Sequence, residues 1–233
     1  MAPPKFVIFD YDGTLFHTHR AISHCLAMTY EKHPFPHSLS GPELAHLGGS
    51  GLGIEEVLKT LKPDPRTINE EEWIAEYRRL YSLHGQELGK PFDGAQHLLQ
   101  LLHSRDIPIA VVSNKGASAI LDGLRYNGLA DYIPEFLIVG NQTLGVPTKP
   151  DPTSFFNVLA PALRERGILE SVDPSDVFVV GDTEADIQFA SNIGGAKSIF
   201  CRFGYGDNEI CENMKPTATI DSLAELEKLI DEL

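Results

Sequence analysis

The sequence predicts an α/β fold: a doubly wound parallel sheet with helices on both faces, interrupted after its first strand by an all-helical insert. Three observations predict it. Short apolar, β-branched runs alternate with longer helical patterns, which is the rhythm of repeated βαβ units. The runs are continuous and do not alternate with polar residues, so both faces of the sheet should be covered. Between roughly residues 16 and 90 the rhythm stops, and helical patterns punctuated by proline and glycine take over.

The elements follow in order. The first strand is expected at Phe6-Val7-Ile8-Phe9, an unbroken apolar run that ends in an aspartate. Helical patterns then occupy residues 20–32, 53–61 and 69–88, separated by Pro34, Pro36, Gly41, Pro42, the glycine-rich stretch 48–53, Pro63 and Pro65. Four more strands are expected at 107–112, 136–139, 177–180 and 198–200, with helices at 94–104, 117–126, 153–166, 185–192 and 222–230. This divides the chain into a core of residues 1–16 and 90–233 and a helical cap of residues 17–89. A cap inserted there lies over the carboxyl ends of the strands, where ligands bind in open α/β sheets.

Composition narrows the partners. With 33 acidic against 19 basic side chains the formal charge is −14, which argues against duplex nucleic acid or an anionic membrane, since both need a basic face. A small anionic substrate responds to the local field of a pocket and is not excluded. Cys25, Cys201 and Cys211 are an odd number without a C-x-x-C pair, so neither a disulfide framework nor a zinc site is expected, and a reducing cytoplasm is the simplest setting. The start MAPPKFVIFD is too short and too soon charged for a signal peptide, and no stretch approaches the roughly 18 apolar residues of a membrane span.

Polar residues gather where the strands finish. The first strand runs into Asp10-Tyr11-Asp12-Gly13-Thr14, the second ends at Ser113-Asn114-Lys115, and the fourth leads to Gly181-Asp182-Thr183-Glu184-Ala185-Asp186. The loop Thr148-Lys149-Pro150-Asp151-Pro152 opens a helix between them. In a parallel sheet these ends share one edge, so four carboxylates, a lysine and a hydroxyl can converge there. Two like charges about 4 Å apart cost on the order of 4 kcal/mol at an effective dielectric of 20. A hard divalent cation relieves that repulsion, and Mg²⁺ suits an oxygen-only set that leaves room for phosphate oxygens.

In this order the segments resemble the haloacid dehalogenase superfamily, and within it phosphoglycolate-phosphatase-type members with a small helical cap after the first strand. The D-x-D-G-T-L motif is complete at Asp10-Tyr11-Asp12-Gly13-Thr14-Leu15, the hydrophobic strand ending in Ser is Val111-Val112-Ser113-Asn114, the lysine before Pro-x-Pro is Lys149, and G-D-x-x-x-D is met by Gly181, Asp182 and Asp186. Gly204-Tyr205-Gly206 and the closing segment 218–223 extend the likeness over nearly the whole chain. The resemblance implies a Rossmann-like core and a Mg²⁺-dependent phosphatase. Asp10 would attack phosphorus and form an aspartyl-phosphate, and Asp12 would serve as general acid and then general base. The metal would be held by the Asp10 carboxylate, the Asp12 backbone carbonyl and Asp182. Lys149 and Ser113 would hold the phosphoryl oxygens. Asn114, Gly13, Thr14 and Ser50 would complete the phosphate and substrate contacts, and Asp186 would support the metal through water or orient Lys149.

Each residue also has a plainer role to weigh. D-G-T after a strand is ordinary turn chemistry, Ser113-Asn114 can cap a helix, and a loop lysine is usually solvated. Four motifs in order outweigh these singly. Asp12 speaks against the dehalogenase reaction, and nothing marks Lys59 or Lys62 as the Schiff-base lysine of a phosphonatase. The alternatives kept open are a phosphomutase of the β-phosphoglucomutase type and a non-catalytic binding protein on the same fold. The expected partner is a small phosphorylated metabolite, with no nucleic acid or membrane, and the protein is expected as a monomer or homodimer. Arg20, His46, Ser50, Arg78 and Arg79 are candidate cap contacts to the organic part of the substrate. The linkers near Phe16 and at residues 89–92 are the expected hinge.

Overall fold

The computed structural model describes residues 3–34, 39–61 and 68–232; Pro36, Lys62, Pro63 and Pro65 lie outside them. The chain begins with β1 (Phe6–Phe9), buried along its whole length, followed by the two-residue β2 (Phe16–His17). The helical insert comes next, with α1 (His19–Lys32), α2 (Gly41–Gly48), α3 (Ile54–Leu61) and α4 (Glu70–Leu80). A widened π turn at Tyr81–Gly85 carries the chain into the short α5 (Gln86–Leu88). The chain returns through β3 (Lys90–Pro91) and then alternates: α6 (Ala95–Ser104), β4 (Ile109–Gly116), α7 (Ala117–Tyr126) and β5 (Ile138–Asn141). A second π segment at Ser154–Leu159 leads into α8 (Ala160–Glu165). The last elements are β6 (Val177–Gly181), α9 (Glu184–Ile193), β7 (Lys197–Cys201), α10 (Asn208–Asn213), β8 (Ala218–Ile220) and α11 (Leu223–Asp231).

The sheet is parallel throughout, in the order β5-β4-β1-β6-β7-β8. Successive residues of a strand point to opposite faces, and the two cores sort accordingly. Val7, Phe9, Ile109, Val111, Phe178 and Val180 pack under α6, α7 and α11. Phe6, Ile8, Ala110, Val112, Val177 and Val179 meet Phe155, Leu159 and Leu163 of the α8 segment and Phe189, Ala190 and Ile193 of α9. The strand order reverses between β1 and β6, and at such a switch point a crevice opens at the carboxyl ends. Asp10 follows β1 and Asp182 follows β6, so the topology brings them together.

The insert carries its own apolar cluster: Ala21, Cys25 and Leu26 of α1, Leu47 of α2, Val57, Leu58 and Leu61 of α3, and Trp73 and Tyr77 of α4 with Tyr81. Spacings of one, three and four residues keep these side chains on one buried stripe of α1, α3 and α4.

The doubly wound α/β expectation is met, with several differences in detail. Two strands bound the stretch expected to hold none: β2 and β3 pair antiparallel, Phe16 with Pro91 and His17 with Lys90, and tie the two linkers to each other. Helix α2 was not expected, because Gly41-Pro42 reads as punctuation. Here Ser40 caps it in a reciprocal box with Glu43, and Pro42 sits in its first turn, where the missing N–H costs nothing. Strand β8 was also unforeseen, β4 begins two residues later than expected and runs on to Gly116, and β5 is shifted by a short 3-10 turn at Glu135–Leu137. The three cysteines are free and buried. Among the described residues no helix is long and apolar enough to cross a membrane.

Candidate active site

Asp10 lies just past β1, and its backbone N–H donates to the Val180 carbonyl at 2.8 Å, which registers it against the end of β6. Tyr11 turns into the core and stacks on Phe16 at 4.4 Å. Its neighbours Asp10 and Asp12 are left to the polar side of the turn.

Around Asp10 the polar groups satisfy one another. The Lys149 ammonium donates to Asp10 Oδ1 at 2.7 Å and to Asp186 Oδ1 at 2.5 Å. The other Asp186 oxygen accepts from the Thr183 N–H at 3.0 Å and the Thr183 hydroxyl at 2.6 Å. Asp186 thus closes the N-terminus of α9 and orients Lys149 with the same carboxylate. The Lys149 N–H donates to Asn114 Oδ1 at 3.0 Å, so Asn114 anchors the lysine loop to the end of β4. The Lys149-Pro150 peptide is cis.

Asp182 completes the set. It accepts from the Thr14 hydroxyl at 2.8 Å and from the Tyr205 N–H at 2.7 Å. A Cβ at Gly13 would stand 2.3 Å from its Oδ2, and Gly13 has φ +83, so only glycine fits both the space and the left-handed backbone. Gly204 is held to the same economy, since a Cβ there would come within 2.2 Å of the Asp182 Cβ.

Asp10, Asp182 and Asp186 each offer one oxygen within 4.8 Å of the others, and all three are buried. Three carboxylates face one ammonium, and the electrostatics record the imbalance. Burial pushes Asp10 up to about 6, with Lys149 acting in the opposite direction and Asp186 in the same one. Burial, then Asp10 and Asp186, hold Asp182 well above the usual carboxylate range. Burial works to lower the Lys149 ammonium, but Asp10 and Asp186 outweigh it and hold the group above the ordinary lysine value. Buried charge of one sign calls for a counter-charge, and an all-oxygen, partly hydrogen-bonded set suits a hard divalent cation.

Asp12 stands apart from this cluster. Its carboxylate accepts from the Lys115 ammonium at 3.1 and 3.3 Å, and that ammonium sits 3.9 Å over the Tyr81 ring. No local signal marks Lys115 for this role, because its aromatic partner comes from the π turn at the end of the insert. Ser113 is buried at the end of β4, its Oγ accepting from the Lys115 N–H at 3.4 Å. Ser50 lies on the glycine-rich loop of the insert, where its hydroxyl donates to the Leu47 carbonyl at 2.8 Å and accepts from Leu52. The same loop touches the sheet edge: a Cβ on Gly51 would come 2.9 Å from Thr183 Cγ2, and one on Gly53 would come 3.0 Å from the Asn114 carbonyl. Of the other cap candidates, Arg78 is paired with Glu55 and Arg79 with Glu76.

The chain is 31% identical over 230 residues to a phosphoglycolate phosphatase of Aquifex aeolicus, covering 97% of each chain. It is 24% identical over 220 residues to a pyrophosphatase of Halalkalibacterium halodurans, covering 94% of each. Among solved structures, a haloacid dehalogenase-like family protein of Streptococcus pneumoniae superposes with a TM-score of 0.75 at 19% identity, covering 97% of this chain and 98% of that one. A hydrolase of Pseudomonas syringae gives 0.71 at 20%, covering 99% of each. These two show the same fold. The family description "Haloacid dehalogenase-like hydrolase" matches residues 7–200, and the chain belongs to that family.

Proposed function

We propose that this hydrolase is a Mg²⁺-dependent phosphatase of small phosphate monoesters that works through an aspartyl-phosphate on Asp10. One observation carries the reading: two aspartates two residues apart have different partners. Asp10 is held by Lys149 in the buried carboxylate cluster, and Asp12 faces a cavity with Lys115 as its partner. A nucleophile and a proton donor need that separation, one aimed at phosphorus and the other at the leaving oxygen.

In this reading the Asp10 carboxylate attacks phosphorus in line as the ester oxygen departs, and Asp12 delivers the proton to that oxygen. Asp12 then takes a proton from the water that hydrolyses the acyl phosphate. Lys149 and the Ser113 hydroxyl bind the phosphoryl oxygens, and Asp186 and Asn114 hold Lys149 in place. Asp10, Asp182 and the Asp12 carbonyl would hold Mg²⁺, with Asp186 beside them; when bound, the ion offsets the repulsion between an anionic nucleophile and an anionic phosphate. Thr14 and Gly13 serve by fixing Asp182. Residues 17–89 act as a lid over the crevice, hinged at the β2–β3 ribbon. The phosphoglycolate phosphatase relatives make phosphoglycolate the first ester to try.

The test is phosphate release from a panel of esters with and without Mg²⁺, for the wild type, Asp10→Asn and Asp12→Asn. Mg²⁺-dependent release that disappears in Asp10→Asn supports the reading. Isomerised sugar phosphates without release would point to a mutase instead.

A further inference from the structure

A cavity of about 280 Å³ lies between the insert and the sheet edge, near the lower end of the ~300–1,000 Å³ range of small-molecule sites. Asp12 and Lys115 line it, whereas Asp10, Ser113, Lys149 and Asp182 do not. The cavity therefore begins where the proton donor is and extends away from the phosphoryl end. On the proposed function, on which this inference rests, it is the room for the alcohol part of the ester.

Its walls are mostly apolar. Ile22 and Leu26 of α1, Ile54 and Val57 of α3, and the rings of Tyr77 and Tyr81 face it. Two cations line it, and each is already partnered. Lys115 is held between the Asp12 carboxylate and the Tyr81 ring. Arg78 is paired with Glu55, whose second oxygen accepts from Asn141 at 2.5 Å. Asp122 adds a further carboxylate to the lining. An acidic tail on the alcohol would enter this space without a free counter-charge, exchanging its water for neutral polar partners only, such as Ser82, Ser118 and Gln142. A planar or branched hydrocarbon would find matching apolar surface from Ile22, Leu26, Ile54 and Val57.

We infer that the preferred substrate is the phosphate monoester of an uncharged alcohol with an apolar or aromatic body, in place of a short acidic one such as glycolate. Substrate choice then resides in the insert, since most of the apolar wall comes from α1, α3 and the segment from Tyr77 to Tyr81.

The experiment compares kcat/KM for benzyl phosphate, n-butyl phosphate and phosphoglycolate, all esters of alkyl alcohols, so that differences report the pocket more than the leaving group. The same panel is run on Ile54→Arg and Ile22→Lys, which place a free cation in the wall from two different helices, with thermal melting used to keep only folded variants. Benzyl or butyl phosphate should exceed phosphoglycolate by tenfold or more in the wild type, and that ratio should fall at least tenfold in whichever variant folds. Equal efficiencies, or phosphoglycolate as the best ester, would overturn this inference and leave the phosphatase reading standing. Release from none of the three, with Mg²⁺ present, would overturn both.

Discussion

The sheet edge and the helical insert are built from opposite materials. At the edge, buried Asp10 and Asp186 share the Lys149 ammonium and buried Asp182 is held by Thr14 and Tyr205, all over long sequence separations. In the insert the buried side chains are almost all apolar, and the ion pairs Lys32–Glu76 and Arg79–Glu76 stand toward its rim. One region is organised by charge, and its crowded buried carboxylates work against stability at neutral pH. The other is organised by hydrophobic burial, and it is free to vary the wall it presents to the crevice. The two regions should therefore respond to mutation in different observables.

The largest separation should come from Asp10→Asn. Removing the proposed nucleophile should lower kcat/KM by at least ~10⁴-fold. Melting of the metal-free protein at neutral pH should be unchanged or improved, because one of three crowded carboxylates is gone and Lys149 keeps Asp186. A large loss of stability would show that the cluster holds the fold together and would break the contrast.

Trp73→Ala is the converse. Trp73 is 1% exposed and stacks on Tyr77, so truncation should cost about 3–5 kcal/mol. Hydrogen exchange should show the loss first in α1 to α4, with the amides of β1, β4 and β6 still protected. Simultaneous loss in both regions would mean that the insert is no separate unit.

How much of this was legible in the sequence follows the same division. Each polar group at the edge sits at the end of an apolar run or in its following loop, so its place was readable once the runs were read as parallel strands. Local signals did less well where the partner is distant or the element short. The β2–β3 ribbon has two residues a side and exists only through pairing across the insert. Helix α2 depended on seeing Ser40 and Glu43 as a capping box before the proline. Lys115 reads as a loop lysine until Tyr81 is placed beneath it. The hydroxyl of Thr14 bonds to Asp182, and no spacing rule announces a contact between groups so far apart in sequence.

The third test sharpens the electrostatic half of the comparison. Asp10 titrates near 6 in the folded protein against an ordinary 3.8, and Asp182 is raised as well. The folded state therefore binds more protons than the unfolded one in that window. The stabilisation is complete below about pH 4 and is lost as pH rises through about 6 and above. Metal-free melting temperatures should carry this fall, and Asp10→Asn should flatten part of it. Mg²⁺ at a hundredfold excess over its Kd should restore about 2–3 kcal/mol, with a larger gain at pH 7.5 than at pH 5. A gain independent of pH would place the ion away from these carboxylates.

The smallest effect concerns Tyr205, a residue bonded to both regions. The Tyr205 N–H donates to Asp182, while its hydroxyl oxygen accepts from the N–H groups of Thr18 at 2.6 Å and His19 at 3.0 Å. Those amides open α1, whose N-cap Thr18 makes no side-chain cap bond of its own, so a tyrosine from the core caps the first helix of the insert. Tyr205→Phe keeps the ring against His17 and His19 and keeps the backbone bond to Asp182, removing only the cap. A lost cap of this kind costs about 1 kcal/mol, and exchange should quicken at the start of α1 with little change at the sheet edge. Should Mg²⁺ affinity fall along with the cap, the hydroxyl would be transmitting the position of the insert to Asp182, and edge and insert would have to be treated as one coupled device.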